Sequence, residues 1–85
     1  MADLIEFPTD FPVKIMGAAA DGFAQAAVEV VLRHAPDLDP ATVEMRPSRA
    51  GNYLSVTCTI RATSQTQLDA LYRELSGHPL VKVVL

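Results

Sequence analysis

The residues best suited to metal binding or nucleophilic chemistry are His34, His78 and Cys58. Structural zinc draws its ligands from closely spaced pairs. These three fall on three separate segments and give no metal site. Cys58 alternates with Leu54, Val56 and Ile60, so it reads as a small inward-facing hydrophobe. It is also the one cysteine of the chain, which excludes an internal disulfide. Ser55, Thr57 and Thr59 line the opposite side of the same strand. A hydroxyl nucleophile needs a base within hydrogen-bond reach, and the sequence groups none with them. The reading is therefore no catalytic residue, no cofactor and no enzyme.

The segment Gly17-Ala18-Ala19-Ala20-Asp21-Gly22 is the most suggestive for binding. Small residues allow a ligand or another backbone to approach closely. The helix expected after it begins with free N–H groups that favour an anion such as a carboxylate. Gly17, Ala18, Ala19, Asp21 and Gly22 are the candidate ligand-binding residues. A tight strand-to-helix turn would ask for the same glycines.

The elements that position these residues follow from periodicity. Phe11, Val13 and Ile15 alternate with Lys14 and Met16, the period of a half-buried strand over Phe11–Met16. Asp21 is the expected N-cap of a helix running to Ala35. Its apolar face is Phe23, Ala27, Val30, Val31 and His34. Arg33 and His34 in the last turn suit the helix dipole. A second strand over Thr42–Arg46 turns Val43 and Met45 inward, and the Pro47–Asn52 cluster turns the chain. Tyr53–Arg61 is the clearest strand. Ser64 with Gln67 three residues on forms a capping box for a second helix, whose inner face carries Leu68, Leu71, Tyr72 and Leu75. Gly77 ends it as a C′ residue. Leu80–Leu85 is a last strand, apolar on both sides, with Val81 and Val83 assigned to the core.

The order βαββαβ, with right-handed crossovers, predicts an α+β ferredoxin-like sandwich. Its antiparallel sheet would run 4-1-3-2, with two helices on one face and the other face open. Residues 11–85 make one domain, and residues 1–10 an extended arm. Open-sheet RNA recognition stacks bases on aromatic side chains; this face offers Tyr53 alone, with Lys14, Arg61 and Lys82 as cations. The net charge of −3 also argues against nucleic acid and against an anionic membrane surface. The N-terminus, with Asp3 and Glu6, does not read as a signal peptide, and the expected location is the cytoplasm.

Lys14-Ile15-Met16-Gly17, Val28–Pro36 and Ser48–Val56 resemble the YbeD-like family of small bacterial proteins. Glu6-Phe7-Pro8-Thr9 and Leu80–Leu85 fit the same pattern, in order and at matching separations. That family is similar to ACT-type regulatory domains. The resemblance implies the βαββαβ order, pairing of domains, and amino-acid binding near the loop after the first strand. ACT domains often carry an acidic residue and Pro-Gly there; Asp21-Gly22-Phe23 lacks the proline. The expectation is a non-enzymatic regulatory module binding a small carboxylate or a partner protein as a homodimer. The alternative is an assembly module without a small-molecule ligand.

Overall fold

The computed structural model describes residues 5–85. The first four residues of the expected arm lie outside the described part. Strand β1 spans Thr9–Ala18, helix α1 Phe23–His34, β2 Glu44–Pro47, β3 Tyr53–Ala62, helix α2 Gln65–Ser76 and β4 Val83–Val84, with a 3-10 turn at Pro40–Thr42 before β2. The order is the expected one. The sheet runs β2-β3-β1-β4 with antiparallel neighbours, and the fold is ferredoxin-like. β1 is longer at both ends than Phe11–Met16. It pairs residue for residue with β3, from Thr9 opposite Ala62 to Ala18 opposite Tyr53, so pairing extends it beyond its alternating stretch. Thr9 and Asp10 of the expected arm belong to this strand, and Phe7 packs against the core.

One side of the sheet is covered. Val13 and Ile15 of β1 and Val56, Cys58 and Ile60 of β3 meet Phe23, Ala27, Val30 and Val31 of α1 and Leu68, Leu71 and Leu75 of α2. Each large member contributes about 1.5–3 kcal/mol by leaving water. Ala35, Leu38 and Ala62 join this core. Phe11 and Tyr72 meet edge to face at 6.5 Å.

Several expectations are corrected. The N-cap of α1 is Gly22 at φ 86°, with no side-chain cap. The turn out of β1 needs a left-handed residue at that point, which glycine supplies without a Cβ penalty. Asp21 is thereby one residue too early to cap. Gly77 does end α2, but in a right-handed conformation at φ −89°, so it is not the left-handed C′ residue expected. Met45 is paired with Val56 and shares its face, yet is 56 % exposed because β2 is an edge strand. Val83 is 44 % exposed. It sits opposite Met16, while Val84 opposite Ile15 packs against the core. β4 is therefore one residue out of the phase assigned to it, and a one-residue slip reverses every side chain. Val43, Leu54 and Val81 are half-buried at the core margin.

The capping box forms in part, since the Gln67 side chain reaches the N–H of Thr63, one residue before the N-cap Ser64. Ser64 Oγ accepts from Gln67 N at 3.0 Å, and Gln67 Oε1 accepts from Thr63 N at 2.7 Å. The same Gln67 donates through Nε2 to His34 O at 2.9 Å. One side chain thus starts α2 and satisfies a terminal carbonyl of α1.

Candidate functional site

The uncovered face of the sheet carries the chemistry. Strand register arranges its side chains in rows. Glu44, Thr57 and Lys14 lie abreast on β2, β3 and β1; Arg46, Ser55, Met16 and Val83 form the next row. With neighbouring strands about 4.8 Å apart, Lys14 and Arg46 stand roughly 12 Å apart at their Cα atoms, on either side of Ser55 and Thr57. A trough of about 570 Å³ runs between Lys14, Glu44, Arg46, Ser55 and Thr57. A smaller hollow of about 170 Å³ adjoins it, lined by Met16, Pro47, Tyr53 and Leu54 and sharing Arg46 and Ser55 with the trough. Among the described residues, Lys14 and Arg46 enter no ion pair. Arg61, further along β3, is held by Asp10 at 3.1 Å, so the cation set Lys14, Arg61 and Lys82 does not act as one free stripe.

This arrangement can hold an anionic group between two cations, with hydroxyl donors below it, an apolar wall beside it and the Glu44 carboxylate at its edge, which leaves one net positive charge around the trough. It does not assemble a nucleophile with a base. His78 Nδ1 accepts from Leu80 N at 3.1 Å, and His34 Nε2 meets Glu74 Oε1 at 2.7 Å on the helix layer. Cys58 is buried in the core, and burial pushes its thiol up to about 11, away from the reactive thiolate.

The five loop candidates divide. Gly17 and Ala18 lie within β1. Gly17 is buried, and a Cβ on it would stand 2.4 Å from Leu80 O and 2.5 Å from Phe23 Cε1. Its side-chain space is thus filled by a ring and a carbonyl of the same chain. Ala18, Ala19, Asp21 and Gly22 are exposed around the start of α1. Ala19 N donates to Asn52 O at 2.9 Å, which ties this loop to the β2–β3 hairpin, and Phe23 N donates to Ala20 O at 3.2 Å.

On the helix layer Glu74 bridges Arg33 and His34. The Arg33 guanidinium, then His34, hold the Glu74 carboxyl below the ordinary carboxylate range, and Glu74 in turn raises Arg33. This clasp joins the end of α1 to α2. α1 rises about 1.5 Å per residue, so its twelve residues place the clasp a full helix length from the Ala18–Gly22 loop.

The sequence does not mark out Arg46 or Glu74, and of Gln67 it shows the capping role alone. Arg46 comes beside Lys14 only through the β2–β3 register. The second bond of Gln67, to His34 O, spans the two helices. No local pattern announces either.

No helix among the described residues is long and apolar enough to cross a membrane. The family model described as a protein of unknown function, DUF493, matches residues 2–85. A UPF0250 protein of Leptothrix cholodnii is 62 % identical over 96 % of this chain and 90 % of its own length. A UPF0250 protein of Nitrosomonas europaea is 56 % identical over 96 % of this chain and 94 % of its own. Among solved structures, the ACT domain from GTP pyrophosphokinase of Chlorobium tepidum superposes with a TM-score of 0.67 at 19 % identity, covering 91 % of this chain and 97 % of that domain. The C-terminal domain of the MgtC protein from Mycobacterium tuberculosis gives a TM-score of 0.63 at 15 % identity, covering 96 % and 89 %. The two structures share the fold, and the family follows from the sequence matches: the chain belongs to the YbeD-like DUF493/UPF0250 family of bacterial proteins.

Proposed function

We propose that this chain is a non-catalytic regulatory or binding module of the cytoplasm, and that it docks a partner protein on its open sheet face. The observation that carries the reading is the pair of adjoining hollows, one polar between Lys14 and Arg46, one apolar beside Met16 and Tyr53. Exposed apolar Tyr53, Val83 and Leu85 extend the same face. Tyrosine and arginine on a partly apolar surface are the residue types that anchor protein interfaces. The burial of Cys58 and the engagement of both histidines elsewhere favour binding over catalysis.

The test is paired affinity capture from a bacterial lysate with the wild type and with Ser55→Arg, which fills both hollows from an outward position. Proteins recovered by the wild type and lost with the variant are expected. Identical recovery from both would refute docking at this face.

A second reading places a small carboxylate at the start of α1, against Ala18, Ala19, Asp21 and Gly22, in a homodimer. The uncapped first turn of α1 favours it, as does the fold held in common with an ACT domain. Calorimetric titration with the common amino acids, alongside sedimentation, checks it; heat from none of them would remove the ligand.

A further inference from the structure

Resting on the open-face reading, we propose that the occupant is an extended acidic segment of a partner protein. One carboxylate would sit between Lys14 and Arg46, and an aliphatic side chain would fill the adjoining hollow.

Charge is unevenly distributed over the molecule. The chain carries −3 overall, yet its open face is reversed in sign. Lys14, Arg46 and Arg61 stand on it against Asp10 and Glu44, and Asp10 is already taken by Arg61. Arg49 adds a further cation at the exposed tip of the β2–β3 hairpin. The remaining described acids lie off this face, on the helices and loops. Such a face attracts and orients an acidic partner. Face to face with its own copy, the surplus of Lys14 and Arg46 over Glu44 would meet an equal surplus, which an acidic partner avoids.

The spacing of the two hollows matches an extended chain. The trough spans the rows of Thr57 and Ser55, and the hollow the rows of Ser55 and Tyr53, so the two are offset by one row. Successive rows are two residues apart along β3, roughly 7 Å. An extended peptide presents alternate side chains on one side at the same interval. A carboxylate and an aliphatic group two residues apart would therefore reach the trough and the hollow together. Nucleic acid fits less well: Tyr53 is the one aromatic that the described residues place on this face, and base stacking asks for a platform of them.

The test is fluorescence anisotropy with a labelled peptide of repeating Asp-Ser-Leu-Ser, which sets Asp and Leu on one side. Controls are the same peptide with Lys for Asp and a single-stranded oligonucleotide. The proteins are the wild type, the double variant Lys14→Glu/Arg46→Glu, and Arg73→Glu on α2. Both face residues are exposed, so thermal unfolding should confirm that the double variant is folded. The wild type should bind the Asp peptide and not the Lys peptide. The double reversal should weaken binding about tenfold or more, as should moderate salt, while Arg73→Glu should change nothing. Absence of binding, equal affinity for the Lys peptide, indifference to the reversal, or tighter binding of the oligonucleotide would each overturn the proposal. Paired capture with the double variant separates the two readings. Proteins lost with that variant, together with a peptide that does not bind, would leave the docking face standing without its acidic occupant. An unchanged set of captured proteins would remove both.

Discussion

Replacing Gly17 by alanine puts one methyl group where the structure has no room. Its Cβ would stand 2.4 Å from Leu80 O and 2.5 and 2.9 Å from two carbons of the Phe23 ring. The ring is 1 % exposed and wedged into the core, so it cannot swing into solvent, and the nearest atom is backbone. Overpacking of this kind costs about 1–3 kcal/mol. Gly17 is not among the residues of positive φ, so the penalty is steric. Restricting the unfolded chain returns about 0.4–1 kcal/mol. With a carbonyl as the worst contact, the net loss should fall near 2 kcal/mol. For a domain of this size that lowers Tm by about 8–16 °C. Urea unfolding followed by circular dichroism reads the change directly, with an unaltered slope. Adding Phe23→Leu should give less than the sum of the two single losses, since the ring clash is relieved and the Leu80 contact remains. A Gly17→Ala protein within about 0.5 kcal/mol of the wild type would refute the reasoning.

The Glu74 carboxyl is depressed in the folded state, so its stabilisation is present above the ordinary carboxylate range and is lost as pH falls through the folded value; Glu74→Gln should flatten the acid limb of a stability-against-pH curve. Cys58, with its thiol pushed up to about 11 inside the core, should react slowly with an aromatic disulfide reagent at pH 8 and rapidly once urea unfolds the chain. Ser64→Ala removes the acceptor for Gln67 N and should cost about 1 kcal/mol in urea titration.

Strand and helix order was legible because β1 and β3 alternate cleanly and each helix carries one apolar stripe. The failures share a cause. Leu80, Val81, Val83, Val84 and Leu85 are apolar whichever way the strand is turned, so alternation carries no phase, and pairing with Ile15 and Met16 decides it. Met45 shows the same limit in another form. Its face was readable, but its exposure depends on which strand is at the edge. Asp21 lost the cap to Gly22 because backbone geometry at the turn outweighs a side-chain preference. The open face was recognised as open, but the neighbourhood of Lys14 and Arg46 is a product of register between residues distant in sequence.

The strands differ greatly in how firmly they are held. β1 and β3 share ten consecutive pairs, whereas β4 has two. Its ends rest on Lys82 N to Met16 O at 2.7 Å, Leu85 N to Lys14 O at 2.8 Å and Tyr72 Oη to Leu85 O at 3.1 Å. Amides of Val56 and Cys58 should therefore exchange with deuterium only when the whole molecule unfolds, while those of Lys82–Leu85 exchange through local fraying. The open face thus has fixed ground at its centre and a loose margin at Val83 and Leu85. A molecule resting on the centre alone binds a surface already formed, and one that reaches the margin must also settle it, with a slowing of exchange there as its signature.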